Sequence, residues 1–147
     1  MAAIMGTTYP ELYAAMGIHS GLAYAAARDL PSALTAMTGK QGQKTRGASN
    51  PRTIPMIVFH GDGDKTVHPS NGEHVMADTL EKVEKGRANG RAYTRTTHVD
   101  ASGKPVLEHW LVHGAGHAWS GGSASGSYAD PLGPDASREM WRFFRGA

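Results

Sequence analysis

The sequence contains no cysteine among its 147 residues. Disulfides, thiolate metal sites and a cysteine nucleophile are therefore excluded together. Long apolar runs are missing as well, because runs such as Ile57–Phe59 are short. A membrane-spanning helix needs about 20 consecutive apolar residues. The sequence therefore predicts no helix that crosses a membrane and no membrane partner.

A strong excess of one charge is also missing. Lys and Arg total 15 against 13 Asp and Glu, so the formal net charge is +2. The densest basic stretch, Lys85 to Arg95, lies beside Glu81 and Glu84. Nucleic-acid-binding surfaces need a denser basic stripe on one face, so we expect no nucleic-acid partner. Charged residues make up 19% and hydrophobic residues 39%, which predicts one globular domain.

The N-terminus lacks the basic region and the apolar core of a secretory signal, and the compartment is left open. Residues 1–8 are rich in Ala and Met and predict a helix that Pro10 ends. No Ser, Thr, Asp or Asn precedes this helix as a cap. The helix therefore begins without the sequence signal that usually starts one.

The rest of the chain predicts strands and helices in α/β order. The expected elements are a strand over Tyr13–His19, a short helix over 31–38, a polar loop over Gly39–Arg52, a strand over Ile54–His60, an amphipathic helix over 70–85, strands over Arg91–Val99 and Pro105–Val112 joined by a turn at 100–103, and a closing helix from Pro134 to Arg145. Trp110, Trp141 and Phe144 are expected in the core.

Two stretches with unusual chemistry follow predicted strands, His60–His68 and Gly114–Ser120. Ligand sites of α/β sheets form at the carboxyl ends of strands. A carboxylate such as Asp64 on a tight turn can orient a histidine, and His117 on a Gly-rich turn can approach a nucleophile. Asp before His is the chain order of the α/β-hydrolases, in which both follow an upstream Ser. Asp62 is the second candidate for the acid.

Three motifs carry a resemblance to a known family. They are His60-Gly61-x-x-Asp64-x-x-Val67, Gly114-x-Gly116-His117-Ala118-Trp119-Ser120-Gly121-Gly122 and Asp130-Pro131-x-Gly133-Pro134-Asp135-Ala136-Ser137. In these motifs the chain resembles the C-terminal half of an α/β-hydrolase esterase of the polyhydroxybutyrate depolymerase family. The resemblance covers residues 1–147 and implies a partial α/β-hydrolase fold, a mostly parallel sheet with flanking helices. It also implies that Asp64 is the acid of a catalytic triad and His117 its general base.

The activity that the resemblance implies is carboxylester hydrolysis through a Ser-His-Asp triad. The substrates would be short-chain or polymeric esters of hydroxyalkanoates, although related enzymes act on feruloyl or acetyl esters of plant cell walls. Trp119 would line the substrate pocket. No metal or organic cofactor is implied, and members of the family are often secreted.

The expected nucleophile is missing from this chain. A Gly-x-Ser-x-Gly elbow needs Gly two residues either side of the Ser, and Ser20, Ser49 and Ser123 all lack this pattern. We therefore expect the nucleophile and the oxyanion donors to lie in an N-terminal half of the same domain, which activity would require. The alternative is a catalytically inactive relic of a hydrolase, or a binding module.

Metal sites are further alternatives and would make the protein a metal-dependent hydrolase. Six residues match EF-hand positions: Asp62, Asp64, Thr66, His68, Ser70 and Glu73. That loop nevertheless needs Gly where Val67 stands. His109, His113 and His117 recur every four residues, as zinc ligands on a helix would, but the Gly residues between them disfavour a helix. His109 and His113 are accordingly expected to be ordinary strand histidines.

Overall fold

The computed structural model describes residues 2–21, 54–66 and 80–146. Its elements are α1 (Ala2–Thr8), β1 (Met16–His19), β2 (Met56–Gly61), β3 (Leu80–Ala88), β4 (Arg91–Val99), β5 (Pro105–Val112), β6 (Trp119–Ser120), β7 (Ala129–Asp130) and α2 (Ala136–Gly146). The helix predicted over 31–38 and the polar loop Gly39–Arg52 lie outside these residues. None of the described helices has the length and apolar character to cross a membrane.

Five strands form one sheet in the order β1-β2-β5-β4-β3. β1 pairs parallel with β2, and β2 pairs parallel with β5. β4 pairs antiparallel with both β5 and β3. The described chain is therefore a mixed α/β unit, whose sheet is half antiparallel rather than mostly parallel. The structure confirms the predicted N-terminal helix, the strands β2, β4 and β5, and the closing helix. The first strand, β1, is shorter than predicted.

The amphipathic helix predicted over 70–85 is wrong for residues 80–85, which belong to strand β3, and its residues 70–79 lie outside the described residues. β3 pairs with β4 from Leu80↔Val99 to Ala88↔Arg91. The turn between them is Asn89-Gly90, and both residues have positive φ, 51° and 115°. A hairpin turn that matches the strand twist requires this geometry, and Asn-Gly is its preferred sequence. Hairpin pairing with β4 thus overrides the helical spacing of the apolar residues.

The core lies between one face of the sheet and α2. Phe59 of β2 stacks on Trp110 of β5 with ring centroids 5.1 Å apart. The helix contributes Ala136, Met140 and Phe143, an i, i+4, i+7 set that places all three on one side. The prediction that Trp141 and Phe144 belong to the core is wrong, because these side chains follow that set by one residue and are 64% and 39% exposed.

A buried carboxylate joins α2 to the sheet. Glu108 of β5 is 2% exposed. It accepts a hydrogen bond from Trp110 Nε1 at 2.7 Å and pairs with the guanidinium of Arg142. A buried charge is tolerated only when it is paired in this way. The contact fixes how the helix lies on the sheet.

Candidate active site

The site is built on β2 and β5, which lie side by side and parallel. Six register pairs run from Met56↔Leu107 to Gly61↔Val112, so both strands end at the same edge of the sheet. The turn after β2 carries Asp64, and the turn after β5 leads to His117. Neighbouring parallel strands therefore deliver the predicted acid and base to one place.

Backbone contacts join the two turns to each other. The Gly63 N–H donates to the Ala115 carbonyl at 3.0 Å, and the Asp62 N–H donates to the Val112 carbonyl at 3.2 Å. A Cβ at Gly61 would stand 2.3 Å from the carbonyl oxygen of Ala115, a distance that no side chain tolerates. Gly61 is therefore required by the close approach of the second turn.

Asp64 and His117 form a hydrogen-bonded pair. The Nδ1 atom of His117 lies 2.8 Å from Oδ2 of Asp64. The Asp64 side chain is fully buried, whereas that of His117 is 40% exposed. The other carboxylate oxygen accepts the Thr66 N–H at 2.8 Å. An ionised carboxylate only accepts hydrogen bonds, so the proton of the imidazole lies on Nδ1 and Nε2 is left as a base.

A second imidazole faces the same carboxylate. His60, at the end of β2, is fully buried, and its Nε2 lies 3.5 Å from Oδ2 of Asp64. Asp64 therefore lies between two histidines that approach one of its oxygens. His60 is the first residue of the motif that contains Asp64, but the sequence predicts no role for it.

His19, at the end of β1, is a site residue that the sequence analysis missed. Its ring stacks between Phe59 and Trp119, with centroid distances of 5.8 Å and 4.8 Å. Its Nε2 accepts the Ser120 N–H at 2.9 Å. Burial, together with the charges of His60 and His117, lowers the pKa of His19 to about 4, against the opposing effect of Asp64. The ring therefore stays neutral near pH 7 and keeps Nε2 as an acceptor. The sequence signal that could have identified His19 is its position at the carboxyl end of a predicted strand.

Trp119 is joined to the site through its stack on His19. Its side chain is 39% exposed, and its Nε1 donates to Ser137 Oγ at 3.2 Å. An aromatic ring that is stacked on His19 and partly open to solvent can contact a bound substrate. Its place in a substrate pocket next to His117 and its role as a substrate contact stay predictions.

The motif over Asp130–Ser137 supports the segment that follows His117. Ser120 is 2% exposed, and its Oγ donates to the Pro134 carbonyl at 2.6 Å. The Gly121 N–H donates to the Asp130 carbonyl at 2.8 Å. Gly121 has a φ of 78°, and a Cβ there would stand 2.4 Å from the Cα of Asp135. The motifs Gly114–Gly122 and Asp130–Ser137 therefore pack against each other and together support the segment that carries His117.

Asp62, the second candidate for the acid, binds a different histidine. Its Oδ2 lies 2.8 Å from His113 Nδ1, and its Oδ1 accepts the Gly114 N–H at 2.6 Å. Partial burial opposes ionisation, but these two hydrogen bonds and the charge of Arg91 outweigh it and lower the pKa of Asp62. The expectation that His113 is a strand histidine is wrong, because β5 ends at Val112 and His113 lies in the turn.

The alternative metal sites considered from the sequence are not formed by the part of the chain that the structure describes. Over residues 2–21, 54–66 and 80–146, no group of three or more His, Asp or Glu side chains could hold a metal ion. His113 and His117 each bind their own aspartate, while His109 lies within β5. The EF-hand positions His68, Ser70 and Glu73 lie outside the described residues.

A mixed α/β unit with a buried carboxylate that orients a half-exposed histidine has a site of the kind that hydrolases use. The chain is 24% identical to the poly(3-hydroxyalkanoate) depolymerase C of Paucimonas lemoignei over 132 aligned residues, which cover 80% of this chain and 32% of that protein. The chain thus spans about a third of the length of this curated relative. No protein-family model matches. The relationship to the depolymerase is distant.

Proposed function

We propose that this chain carries the acid and the general base of a serine carboxylester hydrolase, Asp64 and His117. The observation that carries the proposal is the 2.8 Å contact between Asp64 Oδ2 and His117 Nδ1. The partial α/β-hydrolase fold belongs to the same proposal, and the parallel β1-β2-β5 order supports it. The name of the distant relative favours esters of hydroxyalkanoates, short or polymeric, as substrates.

In this mechanism, a Ser that lies outside these 147 residues attacks the ester carbonyl. His117 Nε2 takes the hydroxyl proton and then gives it to the leaving alcohol. Asp64 holds the ring in the Nδ1–H tautomer and stabilises the imidazolium that forms. Because Asp64 is fully buried and its second oxygen is bound by the Thr66 amide, the carboxylate has little freedom to turn away from the histidine. The mechanism requires no metal or organic cofactor.

The chain by itself is expected to be inactive in this reaction. Loss of a triad member costs on the order of 10⁴- to 10⁶-fold in rate. Loss of one oxyanion donor costs about 10²- to 10³-fold more. The purified 147-residue chain should therefore show no His117-dependent hydrolysis of p-nitrophenyl butyrate.

The test begins with the gene. The DNA upstream of the Met1 codon should continue in frame and encode Gly-x-Ser-x-Gly shortly before it. The extended protein should hydrolyse p-nitrophenyl butyrate, and His117→Ala or Asp64→Asn should reduce kcat about 10⁴-fold. Asp100→Asn is the matched control, because Asp100 lies in the exposed turn at the other end of β5 and should leave kcat unchanged.

Two results would overturn the proposal. One is an upstream sequence without the Ser motif, which would favour an inactive relic or a binding module. The other is an active extended protein whose kcat does not change in His117→Ala.

A further inference from the structure

Outside the site described above, a hydroxyl, an imidazole and a carboxylate are joined in a row by two hydrogen bonds. The Oγ1 of Thr94, in β4, lies 2.9 Å from Nε2 of His113. Nδ1 of the same ring lies 2.8 Å from Oδ2 of Asp62. These three residues share no member with the Asp64–His117 pair, and they lie where the turns after β2 and β5 meet the neighbouring strand β4.

The direction of the hydrogen bonds follows from the carboxylate. Asp62 has a lowered pKa and is therefore ionised near pH 7, so it only accepts hydrogen bonds. His113 must then carry its proton on Nδ1, which leaves Nε2 as the acceptor. Thr94 consequently donates its hydroxyl proton to Nε2. A base that accepts a hydrogen bond from a hydroxyl can take its proton as the oxygen attacks, and this activates an alcohol nucleophile.

The carboxylate is fixed more firmly than a simple turn contact needs. Both of its oxygens are occupied, one by His113 and the other by the Gly114 N–H at 2.6 Å. These two contacts could serve only to hold the two turns together. That role does not require the further hydrogen bond between Thr94 and Nε2 of His113. The His113 and Asp62 side chains are each 39% exposed, so small solutes can reach them.

A fixed positive charge lies beside this constellation. Nη1 of Arg91 lies 3.1 Å from the place that a Cβ on Gly114 would occupy. The Nε of Arg91 donates to Asp130 Oδ2 at 2.6 Å, which holds the guanidinium in position. The charge of this guanidinium helps to lower the pKa of Asp62, and it therefore keeps the carboxylate that binds His113 ionised.

We propose that Thr94 is an acyl-accepting nucleophile, with His113 as its general base and Asp62 as the residue that orients the base, and that it takes acyl groups from small activated esters. Thr94 Oγ1 bonds to the acyl carbon and the ester C–O bond breaks. The hydroxyl proton passes to His113 Nε2 and then to the departing oxygen. Water, deprotonated by the same nitrogen, later hydrolyses the threonyl ester and restores Thr94.

The test uses the 147-residue chain and an alkyl fluorophosphonate, which traps activated hydroxyls. Thr94 Oγ1 bonds to phosphorus, fluoride leaves and the proton goes to His113. Peptide mass spectrometry should place the label on Thr94. Thr94→Val should remove it, and His113→Asn should slow labelling by about 10²-fold or more, the usual contribution of a general base. Thr94→Ser should restore labelling.

Matched controls test whether the label is specific to this constellation. Thr96→Val changes a threonine two residues along the same strand face, and Asp100→Asn changes a carboxylate in the turn at the other end of β5. Both variants should be labelled at the wild-type rate. Circular dichroism checks that each variant is folded. The inference is overturned if the folded chain takes no label on Thr94, or if His113→Asn is labelled as fast as wild type. Neither result affects the test of Asp64 and His117.

Discussion

Replacing His19 by phenylalanine should change both the free energy of unfolding and the way in which this free energy depends on pH. The wild-type ring is neutral in the folded protein because burial lowers its pKa from 6.5 to about 4. As the pH falls below 6.5, the unfolded chain binds a proton that the folded protein does not bind until about pH 4. The stability that the neutral ring contributes is therefore complete above pH 6.5 and is lost between pH 6.5 and about pH 4.

The magnitude follows from the same shift. One unit of pKa corresponds to about 1.4 kcal/mol, so the loss across this window is up to about 3 kcal/mol. The phenylalanine ring of His19→Phe cannot be protonated, and it preserves an aromatic ring between Phe59 and Trp119. It cannot accept the Ser120 N–H, and a buried amide left without an acceptor costs about 1–3 kcal/mol. The variant should be less stable than wild type at pH 7 and equally or more stable near pH 4, so the two curves cross.

Urea unfolding followed by circular dichroism, at several pH values from 4 to 7.5, measures both free energies. His109→Phe is the matched control. Burial, with the charges of His60 and His98, also lowers the pKa of His109 to about 4. Within the described residues, however, its Nε2 has no hydrogen-bond partner. This variant should flatten the pH dependence without the loss at pH 7. Parallel curves for wild type and His19→Phe at every pH would refute the reasoning.

The remaining predictions concern packing. Gly61→Ala should destabilise the protein by about 1–3 kcal/mol and shift the NMR amide resonance of Gly63, because the new Cβ would meet the Ala115 carbonyl at 2.3 Å; an unchanged urea midpoint would contradict this. Phe143→Ala should cost about 3–5 kcal/mol, since Phe143 is 4% exposed, whereas Trp141→Ala should cost far less, since Trp141 is 64% exposed. Equal losses in calorimetry would show that the helix face is assigned wrongly.

Much of the fold could be predicted because local patterns agree with tertiary structure. The continuous apolar run of β2 and the turn before β5 predict their strands, and Asp135 accepts the Arg138 N–H as the cap of the closing helix. β3 escaped prediction because Leu80 and Val83 are spaced as on a helix face, although both are exposed in the strand. The Asn-Gly turn after it was the stronger signal.

The site was predictable only where a motif marks it. Asp64 and His117 belong to motifs at strand ends, so their pairing could be anticipated. The contact between His19 and Ser120 joins residues 101 positions apart, and no local pattern encodes it. The same holds for Thr94 and His113, which meet through the strand pairing of β4 with β5 rather than through sequence spacing.

The distance along the chain between the two site-bearing turns has a kinetic consequence. Asp64 and His117 are 53 residues apart, so their contact requires closure of a long loop before it gains any stability. Contacts of this range form slowly, and helices and hairpins form faster. The Asp–His pair should therefore form after the β3–β4 hairpin during folding. Pulse-labelling hydrogen exchange would show this order directly, with the Gly63 amide, bonded to the Ala115 carbonyl, acquiring protection later than the hairpin amides.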